Sequence, residues 1–250
     1  RGAVTAIRAV PGLLALIFFA TFNNLVGGVF MALMDPYGLT LFSVEVWGIV
    51  LGVTSIGFII GGGIVAKFGL GRNPLRTLLW VNVGVSILGM TFALREWWWL
   101  YAVGILVFMT IMPIAEAAEQ TIIQRVVPFE TQGRVFGFAA SVEAGAAPVS
   151  AYIIGPIAQF GLIPFMNSDA GRAAFGWLLG DGEARGMALA FVAAGFTTLV
   201  VVLLAFASRQ YRQLSRAYAE AAPPPGGDET VATGIPSGSL TAPLPPQPAE

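Results

Sequence analysis

Six stretches of this 250-residue chain run without a charged side chain for about the length of a membrane-crossing helix: 10–34, 46–66, 77–94, 97–115, 144–168 and 186–208. A helix needs about 20 apolar residues to cross a hydrocarbon core of ~30 Å. The fourth run is expected to continue past Glu116 to 124. The fifth span is expected to begin near 135 and to cover 135–160, so both contain carboxylates. Strands of a membrane β-barrel would show alternating segments of ~10 residues, and these solid apolar runs exclude them. The predicted fold is all-α and transmembrane, a six-helix bundle over residues 1–216.

Composition removes most other classes. Only 11% of the residues are charged, 56% are hydrophobic and the mean hydropathy is +0.77. Soluble domains carry about 25% charged residues, so a soluble enzyme of this size is excluded. The chain has no Cys and no His, which removes thiolate, imidazole and Ser-His chemistry. No enzyme activity, metal or cofactor is expected. A net charge of -1 argues against nucleic acid as a partner. An intramembrane aspartyl hydrolase is disfavoured because the six expected spans contain no Asp.

The polar connections set an expected orientation. With six spans both termini share one side with the second and fourth loops. That side collects Arg1, Arg8, Lys67, Arg72, Arg76, Arg125, Arg134, Arg209, Arg212 and Arg216, ten of the 13 basic residues. The positive-inside rule makes it cytoplasmic, in a cell membrane. Trp97, Trp98, Trp99 and Tyr101 stand where the fourth helix enters from the other face and suit an aromatic belt. The long connection 161–185 leaves room for a short amphipathic helix over 172–179. After Ala222 the composition turns to Pro, Gly, Ser and Thr, and residues 217–250 read as a disordered cytoplasmic tail. Residue 1 is Arg and the first span follows almost at once, so the chain is expected to be the second part of a longer protein.

Ionisable groups inside a membrane are costly and point to function. Three fall within the expected spans: Glu116, Glu119 and Glu143. Glu116 lies nine residues before Arg125, and Glu143 nine after Arg134. At 1.5 Å per residue both sit roughly 13 Å from the cytoplasmic interface. Two nearby carboxyls in a low dielectric cannot both ionise cheaply, so one tends to hold a proton. For Glu116 and Glu143, proton coupling and structural pairing stand equally open. Glu119, two turns from Arg125, reads as part of a charge network at the helix end.

Asn23 and Asn24 on the first span and Gln120 on the fourth are buried amides that need a partner: a substrate, a neighbouring helix or water. The third and sixth spans carry little beyond Asn82, Thr197 and Thr198. That contrast places them toward lipid, with the first, second, fourth and fifth around a cavity. On the second span Gly48/Gly52 and Gly57/Gly61 have the small-xxx-small spacing of close helix contacts. Pro113, Pro148 and Pro156 are expected to kink the fourth and fifth spans.

At the two cytoplasmic loops the chain resembles the major facilitator superfamily, in particular the C-terminal half of a drug-efflux member. The stretch Gln124-Arg125-Val126-Val127-Pro128-Phe129-Glu130-Thr131-Gln132-Gly133-Arg134-Val135-Phe136-Gly137 looks like the segment between the tenth and eleventh helices of macrolide-efflux and enterobactin-exporter relatives. Gly63-Ile64-Val65-Ala66-Lys67-Phe68-Gly69-Leu70-Gly71-Arg72 resembles the second-half copy of the helix 2–3 loop motif. It departs from that motif in having Lys67 for the usual Asp and one extra residue. The resemblance covers about residues 8–216. It implies helices seven to twelve of a twelve-helix transporter, with an N-terminal six-helix half as partner. It further implies exchange of protons for hydrophobic or amphipathic small molecules, with helices nine and twelve outside the central cavity. An alternative is a self-contained six-helix channel or assembly subunit, although no filter-like repeat is present.

Overall fold

The computed structural model describes residues 2–180 and 184–221, and every regular element among them is a helix. Helix α1 (Gly2–Ala9) leads into α2 (Leu13–Leu41), followed by α3 (Val44–Thr54), α4 (Ile56–Phe68), α5 (Pro74–Thr91) and α6 (Trp98–Val126). Helix α7 (Phe129–Ile157) passes through a π-helical segment, Ala158–Leu162, into α8 (Ile163–Asn167). Then come α9 (Asp169–Leu179), α10 (Arg185–Ala207) and α11 (Arg209–Glu220). Their starts follow local chemistry. Asn73 caps α5 by accepting from the Arg76 N–H at 3.2 Å, with Pro74 behind it. Ser168 caps α9 and Ser208 caps α11 in the same way, at 3.2 and 3.1 Å.

Five helices are long and apolar enough to cross a membrane: Leu13–Leu41, Val44–Phe68, Trp98–Val126, Phe129–Asn167 and Arg185–Ala207. Six were expected. The third run does form a helix, α5, but it has 18 residues, and Pro74, Arg76 and Asn82 dilute its apolar content. The first span is longer than expected, because helix continues through Asp35 and Pro36 to Leu41. An Asp therefore does lie in a membrane-length helix. Its cost is offset by Trp47, whose Nε1 donates to Asp35 Oδ1 at 3.0 Å. The fifth span runs to Asn167, and its 39 residues cover about 58 Å, well beyond a ~30 Å hydrocarbon core. Pro113, Pro148 and Pro156 all sit inside continuous helix, and the π-helical segment begins two residues after Pro156.

The helices pair as α2 with α7, α5 with α10, and α6 with both α4 and α5. A side chain at Gly57 would place its Cβ 2.7 Å from the Leu106 carbonyl, and one at Gly61 would run into the Thr110 carbonyl. This is the close approach read from the Gly57/Gly61 spacing. Gly48 and Gly52 face open space, so the close approach expected from their spacing does not form. Spacing alone cannot say which glycine face a neighbour meets. Gly28 makes a second crossing, against Ala147 and Ser150 of α7.

Large apolar side chains remain uncovered on α3 and α4, with Ile49 65% and Ile59 75% exposed. Such a surface suits lipid and is out of place in water. Inside, two apolar cores form at opposite ends. One joins Ile7, Leu13, Leu75, Ile122, Val135, Val202 and Leu214 near the chain ends. The other joins Leu33, Tyr37, Trp47, Phe92, Tyr101 and Phe191. Around the latter, Arg95 Nη2 donates to the Trp177 carbonyl of α9, and Glu96 Oε1 accepts from the Ala184 N–H. Helix α9 thus forms where a short amphipathic helix was expected over 172–179, three residues longer at its start.

Residues 217–220, expected in a disordered tail, are helical. Helix α11 buries Leu214 and Tyr218 beneath the bundle, and the Arg125 guanidinium sits 4.5 Å from the Tyr218 ring centre and donates to the Ala221 carbonyl. The remaining tail, 222–250, lies outside the described residues. Gly12 makes this docking possible. Its φ of 86° is left-handed, and an added Cβ would lie 2.7 Å from the Gln210 carbonyl and 2.9 Å from Leu214 Cβ. Gly12→Ala is expected to cost about 1–3 kcal/mol and to loosen α11. Trypsin should then cut faster at Arg209, Arg212 and Arg216.

Candidate functional site

Between the two apolar cores lies a cavity of about 340 Å³, walled by α2, α5, α6, α7 and α10. Every ionisable or amide residue singled out within the spans lines it: Asn23, Asn24, Glu116, Glu119, Gln120 and Glu143. Phe30, Phe108, Met112 and Phe136 give it apolar walls, and no Lys or Arg lines it. Glu116 and Gln120 are exposed at its edge, whereas Glu119 and Glu143 are half-buried.

The three carboxylates are not equivalent. Glu119 and Glu143 come within hydrogen-bonding reach of each other, with Glu116 a nearby charge. Glu143 Oε1 is buried and has no hydrogen-bond donor. Glu116 was expected opposite Glu143, with Glu119 in a charge network at the helix end, but Glu119 is the residue that meets Glu143. Counting residues from a membrane plane holds only for parallel axes, and α7 packs along α2 while α6 packs along α4 and α5. No acidic cluster suited to a metal ion occurs among the described residues.

The amides differ as well. Asn24 Nδ2 donates to the Ala20 carbonyl of its own helix at 3.1 Å, so it does not bridge to a neighbour. For Asn23 and Gln120 no hydrogen bond forms among the described residues, which leaves both free toward the cavity.

Two walls differ from the expected arrangement. The third and sixth spans were placed toward lipid, but Asn82 and Ser86 of α5 and Gly195 and Thr198 of α10 line the cavity and are buried. The second span, expected around the cavity, contributes no lining residue. The inward side chains satisfy themselves locally: Asn82 Nδ2 donates to the Leu78 carbonyl, Ser86 Oγ to Asn82 and Thr198 Oγ1 to Ala194. Isolated polar residues on an otherwise apolar helix give little sign of which face turns inward.

The loop residues sit apart from the cavity. Lys67 is exposed in the last turn of α4, and Gly71 and Arg72 are exposed in the α4–α5 connection, where Gly71 takes a left-handed φ of 73°. Pro128 starts α7, Glu130 lies exposed in its first turn, and Gly133 and Arg134 are exposed on the next. Gln132 Nε2 donates to the Gln124 and Val127 carbonyls at 2.6 and 3.0 Å, closing the end of α6. Arg125 alone of the two predicted helix-end arginines is engaged, with α11.

No protein-family model, curated protein or solved structure matches the chain.

Proposed function

We propose that this chain is the second half of a secondary active transporter of the major facilitator type, exporting hydrophobic or amphipathic small molecules in exchange for protons. The observation that carries this reading is the Glu119–Glu143 pair in a cavity with Phe and Met walls and amides at its edge, with Glu143 Oε1 buried and lacking a donor. A single proton shared between two such carboxyls relieves both their repulsion and the orphaned oxygen. Glu116 at the exposed edge is then the group that exchanges the proton with water. Phe30, Phe108, Phe136 and Met112 offer apolar contact to a substrate, and Asn23 and Gln120 offer hydrogen bonds.

In this reading α5 is the third of six spans, the Arg-rich end is cytoplasmic, and the N-terminal half packs over the edge marked by Glu116 and Gln120. The exposed apolar surface of α3 and α4 suits contact with that half or with lipid. One feature departs from the architecture: α5 and α10, in the places of helices nine and twelve, reach the cavity through Asn82 and Thr198. The cavity therefore extends within this half, behind the face that a central cavity would use.

The test uses vesicles holding the whole transporter. An imposed pH gradient is expected to drive uptake of an amphipathic dye, and Glu143→Gln to abolish that uptake while leaving dye binding. Undiminished proton-driven uptake by Glu143→Gln would return the carboxylates to a structural role. A coding sequence with six further spans upstream of Arg1 supports the half-transporter, and a start codon there would refute it.

A further inference from the structure

An open groove of about 810 Å³ runs between α5 and α6, on faces of these helices other than those that line the carboxylate cavity. Its wall along α5 changes character in steps of one helical turn. Arg76 stands at one end, joined there by Arg72 of the preceding connection, Trp80 follows, and then Gly84. Ile111 and Ile114 of α6 complete the apolar part. Trp80 is 57% exposed, and a Cβ added at Gly84 would meet nothing within 4 Å, so the groove floor is open there.

The polar end is selective in what it can bind. Asn73 is already committed, through Nδ2 to Ser215 and through Oδ1 to the Arg76 N–H. The Thr77 hydroxyl donates to the Leu70 carbonyl. That leaves the two guanidinium groups, both exposed and neither paired with a carboxylate among the described residues. No carboxylate lines the groove.

We propose that this groove holds an anionic phospholipid, with its phosphate on Arg72 and Arg76 and one acyl chain lying past Trp80 and Gly84 against Ile111 and Ile114. Arginine pairs suit phosphate oxygens through two-pronged hydrogen bonds. Basic sites between membrane helices at the cytoplasmic level take anionic headgroups, and tryptophan belongs at the headgroup boundary below them. A zwitterionic lipid would bring its cation beside two arginines with no acid in the groove to receive it. A free phosphate would leave the apolar part unfilled. The assignment rests on the helices lying in a membrane and is independent of transport and of the carboxylate cavity.

Native mass spectrometry of the detergent-purified full chain, offered equal amounts of phosphatidylglycerol and phosphatidylcholine, tests it. The wild type is expected to retain phosphatidylglycerol in about tenfold or greater preference, the scale for two arginines near an anionic headgroup. R72Q/R76Q should bring the ratio near unity, while R209Q/R212Q on α11 keeps it. Gly84→Leu should lower retention of phosphatidylglycerol by filling the floor. In a second measurement, phosphatidylglycerol with brominated chains should quench Trp80 fluorescence more than the brominated choline lipid, with the Trp80→Phe difference isolating that residue. Equal retention of both lipids by the wild type would overturn the proposal. So would a preference that survives R72Q/R76Q, one lost in R209Q/R212Q, or displacement of the lipid by inorganic phosphate alone.

Discussion

Glu119→Gln is expected to make the protein more stable and to stop proton-driven transport. The two effects have one cause. In the wild type two carboxyls face each other across the cavity, and Glu143 Oε1 is buried without a donor. A Gln at 119 keeps the shape, removes one negative charge and brings an N–H₂ within reach of that oxygen. Leaving a buried polar group unsatisfied costs about 1–3 kcal/mol, so a gain of that size is expected in unfolding measured at a pH where the wild-type pair has lost its proton, and a smaller one where the proton is held. Proton exchange through the pair is lost at the same time, and pH-driven uptake should fall at least about tenfold. Glu130→Gln is the matched control, since Glu130 is exposed in the first turn of α7 and does not line the cavity. A Glu119→Gln protein that is less stable than the wild type and transports normally would show that the pair is a structural tie.

Gly61→Leu should be among the most damaging single substitutions in the bundle. At this position a side chain runs directly into the Thr110 backbone carbonyl of α6, and Pro113 Cγ stands 3.2 Å away. Backbone cannot move aside as a flexible side chain can, so α4 must separate from α6. Overpacking in a well-fitted core costs about 1–3 kcal/mol, and a clash with backbone belongs at or beyond the upper end. The separation would also displace α6, the helix that carries Glu116 and Glu119. Gly48→Leu, on the same span, meets open space and is expected to leave the melting temperature within about 1 °C, consistent with surface changes near ±0.5 kcal/mol. The pair of variants separates a packing role for Gly61 from a general intolerance of bulk on this span.

Much of this molecule was legible in the sequence because membrane helices leave coarse signals. Long uncharged runs located the helices, and the rarity of ionisable groups within them made Glu116, Glu119 and Glu143 conspicuous. That these three share one cavity with Asn23, Asn24 and Gln120 followed from the same rule, which puts polar groups inward. The pairing within the set was hidden. Whether Glu116 or Glu119 meets Glu143 depends on how α6 and α7 lean, and their lean is set by α2, α4 and α5. The third and sixth spans were misplaced because Asn82, Ser86 and Thr198 bond to their own backbones and are few on otherwise apolar helices. Asp35 fell outside the first span because that span was bounded by its uncharged run, 10–34. Trp47, contributed by the next helix, removes that limit by donating to it. The lipid groove had no sequence signature either, because Arg76, Trp80 and Gly84 align only once α5 is known to be helical through all three.

The most direct test of the central claim looks for the shared proton itself. Infrared spectra of the membrane-reconstituted protein at neutral pH, compared between light and heavy water, report the C=O stretch of a protonated carboxyl. One such signal is expected in the wild type and in Glu130→Gln, and it should vanish in both Glu119→Gln and Glu143→Gln. A wild type without that signal, or one that survives in both cavity variants, would mean that Glu119 and Glu143 hold no proton between them.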